Sequence, residues 1–254
     1  MTSILNVSGI SKAYGGLQAL NDCSFDIDEG KITCLVGPNG AGKTSIFNAI
    51  TGFLNPDQGI VTFRGEEITR LKPQSIVDLG IARTFQNLRL FPEMSVLDNV
   101  MVFQPTSKVS GPLAAIFRPF AVQSDLARRR AEARAILDQV GLSGRDNETV
   151  GNMSYGEQKL LCVARVLATG ADILLLDEPA SGMGHEALNN MVDLVLRLKS
   201  LGKTLVVVEH NTRIVQKIAD EILFLHQGHL LAKGAPDTII RDPKLAEIYF
   251  GGVI

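Results

Sequence analysis

Short runs of β-branched and aliphatic residues alternate along the chain with stretches in which apolar residues recur every three or four positions. The runs at 4–7, 23–27, 32–36, 60–63, 173–176, 205–208, 222–225 and 230–233 predict strands. Those at 173–176 and 205–208 are apolar throughout and bounded by acids, the pattern of a buried strand. Residues 43–50 predict a helix, followed at Gly52 by a residue suited to the left-handed position after a helix end. Residues 157–168 predict a second helix with Leu160, Val163, Ala164 and Leu167 on one face, and 186–201 repeats that spacing. Strands alternating with helices give an α/β fold with a mostly parallel core sheet.

The middle differs. Between Val96 and Val140 the pattern is helical, interrupted by Pro105, Gly111, Pro112 and Pro119 around 113–120. Arg118 is followed by Arg128, Arg129, Arg130 and Arg134 among acids, which reads as a solvated helix face with charge pairs one turn apart. No internal repeat or low-complexity segment is present. The expected organisation is one domain over 1–254, with an α/β core at about 1–90 and 160–254 and a helical lobe at about 90–160.

Composition narrows the function. Of 254 residues 45% are hydrophobic and 20% charged, an ordinary globular balance. A net charge of −2 supplies no overall basic field, so no nucleic-acid partner is expected. Cys23, Cys34 and Cys162 include no CxxC pair, so reduced, buried thiols are expected rather than a disulfide framework or zinc site. The N-terminus does not read as a signal peptide. No apolar stretch nears the roughly 20 residues that span a bilayer. A membrane role requires another subunit to do the spanning.

The strongest chemical signal is Gly37-Pro38-Asn39-Gly40-Ala41-Gly42-Lys43-Thr44, which follows a predicted strand and opens a helix. The spacing GxxxxGK[ST] in that context is a phosphate-binding loop. Glycines let backbone N–H groups close on phosphate oxygens, and the helix N-terminus favours negative charge. Lys43 would reach the β- and γ-phosphates and Thr44 would put its hydroxyl on Mg²⁺; Ser45 completes the nucleotide-binding run. The strand at 173–176 ends in Asp177 and Glu178, facing the ligand crevice of an open α/β sheet. Asp177 suits the Mg²⁺ shell, and Glu178 suits the base that polarises attacking water. Met153-Ser154-Tyr155-Gly156-Glu157-Gln158 precedes a helix, and Ser154 with Glu157 makes a capping box.

At that segment the chain resembles the ABC ATPases, whose signature is Leu-Ser-Gly-Gly-Gln. Ser154 and Gly156 keep the pattern; Tyr155 and Glu157 depart from it. The resemblance covers essentially the whole chain. It implies a P-loop fold of ABC ATPase type, with antiparallel N-terminal strands beside the core sheet. It places Gln86 as the residue sensing Mg²⁺ and the membrane partner, His210 as the switch histidine near the γ-phosphate, and Tyr14 as the ring stacked on adenine. It implies two nucleotide sites formed head to tail by two ATPase subunits, identical or paralogous. Each site takes Lys43, Thr44, Gln86, Asp177, Glu178 and His210 from one chain and Ser154 and Gly156 from the other. Gly184 stands where the family usually carries Asp or Asn, which removes a side-chain contact across that dimer.

The segment ending at Gln86, the Tyr-containing signature, Val-Glu-His210, the insertion at 113–120 and the tail at 242–251 are similar to ATPases of branched-chain (hydrophobic) amino-acid importers. That likeness implies permease subunits in the membrane, an extracytoplasmic solute-binding protein, and a peripheral place on the cytoplasmic face of the inner membrane. A permease helix would dock near 87–94, where Leu88, Leu90 and Phe91 are apolar in an expected loop. Urea, amide and lipopolysaccharide-type systems use near relatives and stay open as alternatives. A soluble ABC protein of DNA repair or translation lacks support, because neither a coiled-coil insertion nor a second cassette is present.

Overall fold

The computed structural model describes residues 3–106 and 119–250. Two sheets form the body. The larger has six strands in the order β10-β9-β3-β8-β7-β6: β3 (Ile32–Val36), β6 (Ile81–Arg83), β7 (Ile173–Asp177), β8 (Thr204–Val208), β9 (Glu221–His226) and β10 (His229–Gly234). All neighbours are parallel except the β9–β10 hairpin. The smaller sheet is antiparallel, in the order β2-β1-β4-β5, from β1 (Ser3–Tyr14), β2 (Leu17–Asp28), β4 (Gln58–Phe63) and β5 (Glu66–Glu67). The predicted mostly parallel core sheet and antiparallel N-terminal strands are both present.

Strand alternation divides the core into two. Cys34, Leu174, Leu176, Leu205 and Val207 point to one face, against the helices of the middle and C-terminal parts. Leu35, Ile173, Leu175, Val206 and Val208 point to the other, where α1 (Lys43–Ile50) and the antiparallel sheet cover them. With both faces covered, β3, β7 and β8 are buried at every residue. This explains their unbroken apolar runs. Strands β1, β2 and β4 of the antiparallel sheet outrun their predicted lengths, and β5, where no strand is predicted, adds a two-residue edge. One face of that sheet is solvated, so polar positions such as Ser8, Ser11 and Lys12 belong to the strand although they break the apolar signal.

The remaining helices are α2 (Pro73–Leu79), α3 (Val96–Met101), α4 (Pro119–Gln139), α5 (Tyr155–Ala168), α6 (His185–Ser200), α7 (Thr212–Ile218), α8 (Pro236–Ile240) and α9 (Pro243–Phe250). Helix α4 carries the predicted pairs, with Arg128 reaching Asp125 and Glu132. Arg129 departs from the solvated face: its guanidinium donates to Gln104 and to the Met101 carbonyl, tying α4 to the end of α3. The predicted single apolar face of α5 is also corrected. Leu161, Cys162 and Val166 are buried together with Leu160 and Val163, because α5 is packed on most sides. The insertion expected around 113–120 falls largely outside the described residues, as does Gly251 of the tail. No helix among the described residues is long and apolar enough to cross a membrane.

Candidate functional site

The parallel strands deliver their C-terminal ends to one edge of the sheet. Val36 leads into the glycine-rich loop, Asp177 leads to Glu178, Val208 leads to Glu209 and His210, and Arg83 leads to Gln86. Asp177 is in register with Val208. Sequence-distant residues thus meet at the edge where open α/β sheets bind ligands.

The loop is built on positions that exclude side chains. Gly37 has φ 155°, and a Cβ there would sit 2.1 Å from the Leu225 carbonyl oxygen. Gly42 has φ 106°, and its Cβ would lie 2.8 Å from the Ala19 carbonyl oxygen. The backbone therefore passes against β2 and the end of β9 with no room to spare. Gly42 caps α1 without a side-chain bond, which leaves the first helix N–H groups without a side-chain partner from the cap. Lys43 Nζ donates to the Gly37 and Pro38 carbonyls at 2.7 and 2.8 Å. Burial lowers its proton affinity, opposed by the charges of Glu178 and Asp177. Thr44 and Ser45 occupy the first turn of α1, while Asn39 and Gly40 are exposed at the loop's tip. Tyr14 ends β1, is 52% exposed, and pairs with Leu17 on the strand that continues to Ala19 beneath Gly42.

Asp177 is buried, and desolvation raises its pKa against the opposing charge of Arg83. Arg83 donates to Asp177 Oδ2 at 3.3 Å and to Asn48 Oδ1 at 2.6 Å, engaging one carboxylate oxygen. The Thr84 hydroxyl accepts from the Asp177 amide at 2.9 Å, and Gln86 stands exposed two residues further on. Glu178 and His210 approach to 3.9 Å between Oε1 and Nδ1.

The segment 153–157 starts α5 as expected. Ser154 Oγ accepts from the Glu157 amide, and the Glu157 carboxylate accepts from the Ser154 amide at 2.9 Å. Among the described residues no hydrogen bond joins Ser154 or Gly156 to residues 37–45. Tyr155 packs on the turn after β7, where a Cβ at Gly182 would lie 3.1 Å from its ring.

Several residues of the site escaped the sequence reading. Arg83 lies among Phe47, Phe53 and Phe85, with ring centroids 5.6, 5.9 and 4.6 Å away. Lys159 is buried beneath Glu178. Glu209 is buried and accepts from the Ala180 amide; burial raises its pKa. Its signal was available, an acid closing an apolar strand beside His210. Tyr249 of α9 donates to the His210 carbonyl, and burial, with the charges of Glu209 and Glu178, pushes its phenol up to about 12.

A groove of about 870 Å³ opens beside the site, lined by Phe53, Arg83, Phe85, Phe91, Phe103 and Gln104 among others. Its wall is tied to α5, since Arg165 donates to the Arg89 carbonyl at 2.7 Å and stacks on Phe103 and Phe91. Of the three apolar residues expected to be exposed here, Phe91 is exposed, whereas Leu88 and Leu90 are half-buried and Leu90 packs against the core.

A family model described as ABC transporter matches residues 20–181. The high-affinity branched-chain amino acid transport ATP-binding protein BraF of Pseudomonas aeruginosa is 36% identical over 249 residues, covering 98% of each chain. The corresponding LivG protein of Escherichia coli K12 is 34% identical, again over 98% of each chain. Among solved structures, an ATP-binding cassette of an ABC transporter in its ADP conformation superimposes with a TM-score of 0.84 at 31% identity, covering 99% of this chain and all of that one.

Proposed function

The chain belongs to the ABC transporter family, and from that membership we propose that it is the ATP-hydrolysing subunit of an importer for branched-chain or other hydrophobic amino acids. The observation that carries the reading is the convergence of loop 37–45, Asp177, Glu178 and His210 at one sheet edge, with Glu178 3.9 Å from His210. The names of the relatives supply the transported class.

In this reading the whole chain acts as one cassette, its helical lobe presenting the signature. The loop amides and Lys43 hold the ATP phosphates and Tyr14 meets the adenine. Glu178 takes a proton from the attacking water while His210 faces the γ-phosphate. Thr44, Gln86 and the buried carboxylate of Asp177 form a hard oxygen donor set suited to Mg²⁺, which would neutralise phosphate charge. Arg83 leaves the second oxygen of Asp177 unengaged by its guanidinium, so the donor set fits. Ser154 and Gly156, which make no hydrogen bond to the loop of their own chain among the described residues, serve the nucleotide of a second ATPase subunit. The groove receives a permease subunit, and the chain sits on the cytoplasmic face of the membrane beneath it, fed by an extracytoplasmic solute-binding protein.

The test is uptake of radiolabelled leucine, isoleucine and valine, and of urea and acetamide, in cells with and without the gene. Selective loss of branched-chain uptake, restored by the gene but not by its Lys43→Ala form, is expected. Unchanged leucine uptake alongside lost urea or amide uptake would reassign the cargo.

A further inference from the structure

Glu178 stands at a left-handed backbone position, φ 48°, uncommon for a residue with a side chain. Such a backbone persists only where its surroundings impose it. Two buried side chains of opposite charge bond to this turn. From α5, Lys159 Nζ donates to the Glu178 carbonyl oxygen at 2.5 Å and to Ser181 Oγ at 3.1 Å. From the end of β8, Glu209 Oε1 accepts from the Ala180 amide at 3.2 Å, and Oε2 accepts from the His210 amide at the same distance. The Glu178 amide donates to the Val208 carbonyl at 3.0 Å, which closes the frame.

Lys159 is 5% exposed, on a helix otherwise buried largely by apolar residues. Desolvation lowers its proton affinity, and the charges of Glu209 and Glu178 work against that. An apolar residue would fill this place without an ammonium to desolvate, and such replacements are often neutral or stabilising. The ammonium is therefore not explained by packing; its contacts with the turn explain it. The contacts run to the carbonyl of Glu178 itself, not to the carboxylate, so Lys159 leaves the reacting atoms open while fixing the backbone that bears them.

We infer that Lys159 is a positioning residue for ATP hydrolysis: together with Glu209, it holds the 178–181 turn so that the Glu178 carboxylate is aimed at the attacking water. The inference rests on the reading of Glu178 as the general base. It also makes the signature helix part of the catalytic frame of its own chain, through Lys159, while Ser154 and Gly156 at its tip face the other subunit.

The experiment compares ATP affinity and turnover of the full chain as Lys159→Met, Lys159→Arg, Glu178→Gln and the pair Lys159→Met with Glu178→Gln. Lys159→Met should bind a fluorescent ATP analogue as the parent does and lose about 10²-fold in kcat, the scale of a small misplacement of a reacting group. Lys159→Arg, which keeps a cation with several donors, should recover most of the rate. In the pair the Lys159 loss should vanish, because an absent base cannot be misplaced. A Lys159→Met loss that multiplies the Glu178→Gln loss would mark a merely structural role and overturn the inference. So would an inactive Glu178→Gln beside a fully active Lys159→Met, whereas an active Glu178→Gln would remove the base assignment itself. Should Lys159→Met not fold, Lys159→Gln enters the same cycle with the same expected outcomes.

Discussion

Nδ1 of His210 lies 3.9 Å from Oε1 of Glu178, too far for a hydrogen bond, although the two residues follow neighbouring parallel strands. Among the described residues neither carboxylate oxygen of Glu178 accepts a hydrogen bond. A base left without an internal partner is available to water. Glu178→Gln should therefore retain ATP binding while turning over about 10²–10⁴-fold more slowly, the usual worth of a general base. With hydrolysis arrested, the ATP-bound form should accumulate as a dimer on a sizing column. Parent-like turnover would place the base elsewhere.

Lys43 currently straps the loop, donating to the carbonyls of Gly37 and Pro38. Nucleotide would exchange these bonds for phosphate oxygens. Lys43→Ala should abolish turnover in a preparation free of contaminating ATPase, and should weaken ATP binding in equilibrium dialysis. Unaltered hydrolysis would refute the site.

Much of this arrangement is legible in the sequence because each main part follows a parallel strand that is buried on both faces and hence apolar throughout. The loop after Val36, the acids after Leu176 and the histidine after Val208 are each announced by such a run. What stayed hidden is what tertiary contact creates. Lys159 reads as an ordinary helix lysine until α5 is seen to be buried on most sides. Arg83 reads as a strand-end charge until three phenylalanines distant in sequence surround it. Tyr249, in the tail, acquires a role only when α9 reaches the His210 carbonyl. The sequence pattern marks β1, β2 and β4 only in part and β5 not at all, since a solvated face puts polar residues inside a strand.

Phe91 is 42% exposed in the groove, whereas Leu90 packs inward. An exposed aromatic in a groove of mixed polar and aromatic lining is the kind of side chain that anchors a partner. Phe91→Glu should leave ATP hydrolysis by the isolated chain near the parent rate and uncouple or abolish transport by the assembled importer. Leu90→Glu should instead lower the melting temperature, because it places a charge against the core. Intact transport by Phe91→Glu would exclude this surface.

All three cysteines are free and buried. Desolvation pushes the Cys162 thiol up to about 11, against the opposing charges of Arg165 and Lys159, and raises Cys23 and Cys34 as well. The thiolate is the reactive form, so folded protein at neutral pH should react slowly with a disulfide reagent. Added denaturant should release three fast-reacting thiols per chain. Rapid labelling of one thiol in the native protein would show that its pocket opens.

Gly184 caps α6 from an extended conformation, φ −67° and ψ 165°, with no side-chain bond to the helix N-terminus. A Cβ added there meets nothing within 4 Å. The backbone suits Asp, and the space admits it. Two effects of Gly184→Asp can be separated. As a cap, Asp should add only a few tenths of a kcal/mol, the usual difference between Gly and Asp at this position. As a residue near the turn after β7, it would restore a side chain able to bond across an ATP-bound dimer. The first effect appears as a slight rise in melting temperature without nucleotide. The second appears only with ATP: in the Glu178→Gln background, Gly184→Asp should shift the dimer to lower ATP concentration. If melting rises and dimerisation does not, Gly184 matters to the helix alone, and the neighbouring His185 or the backbone already makes the contact between subunits.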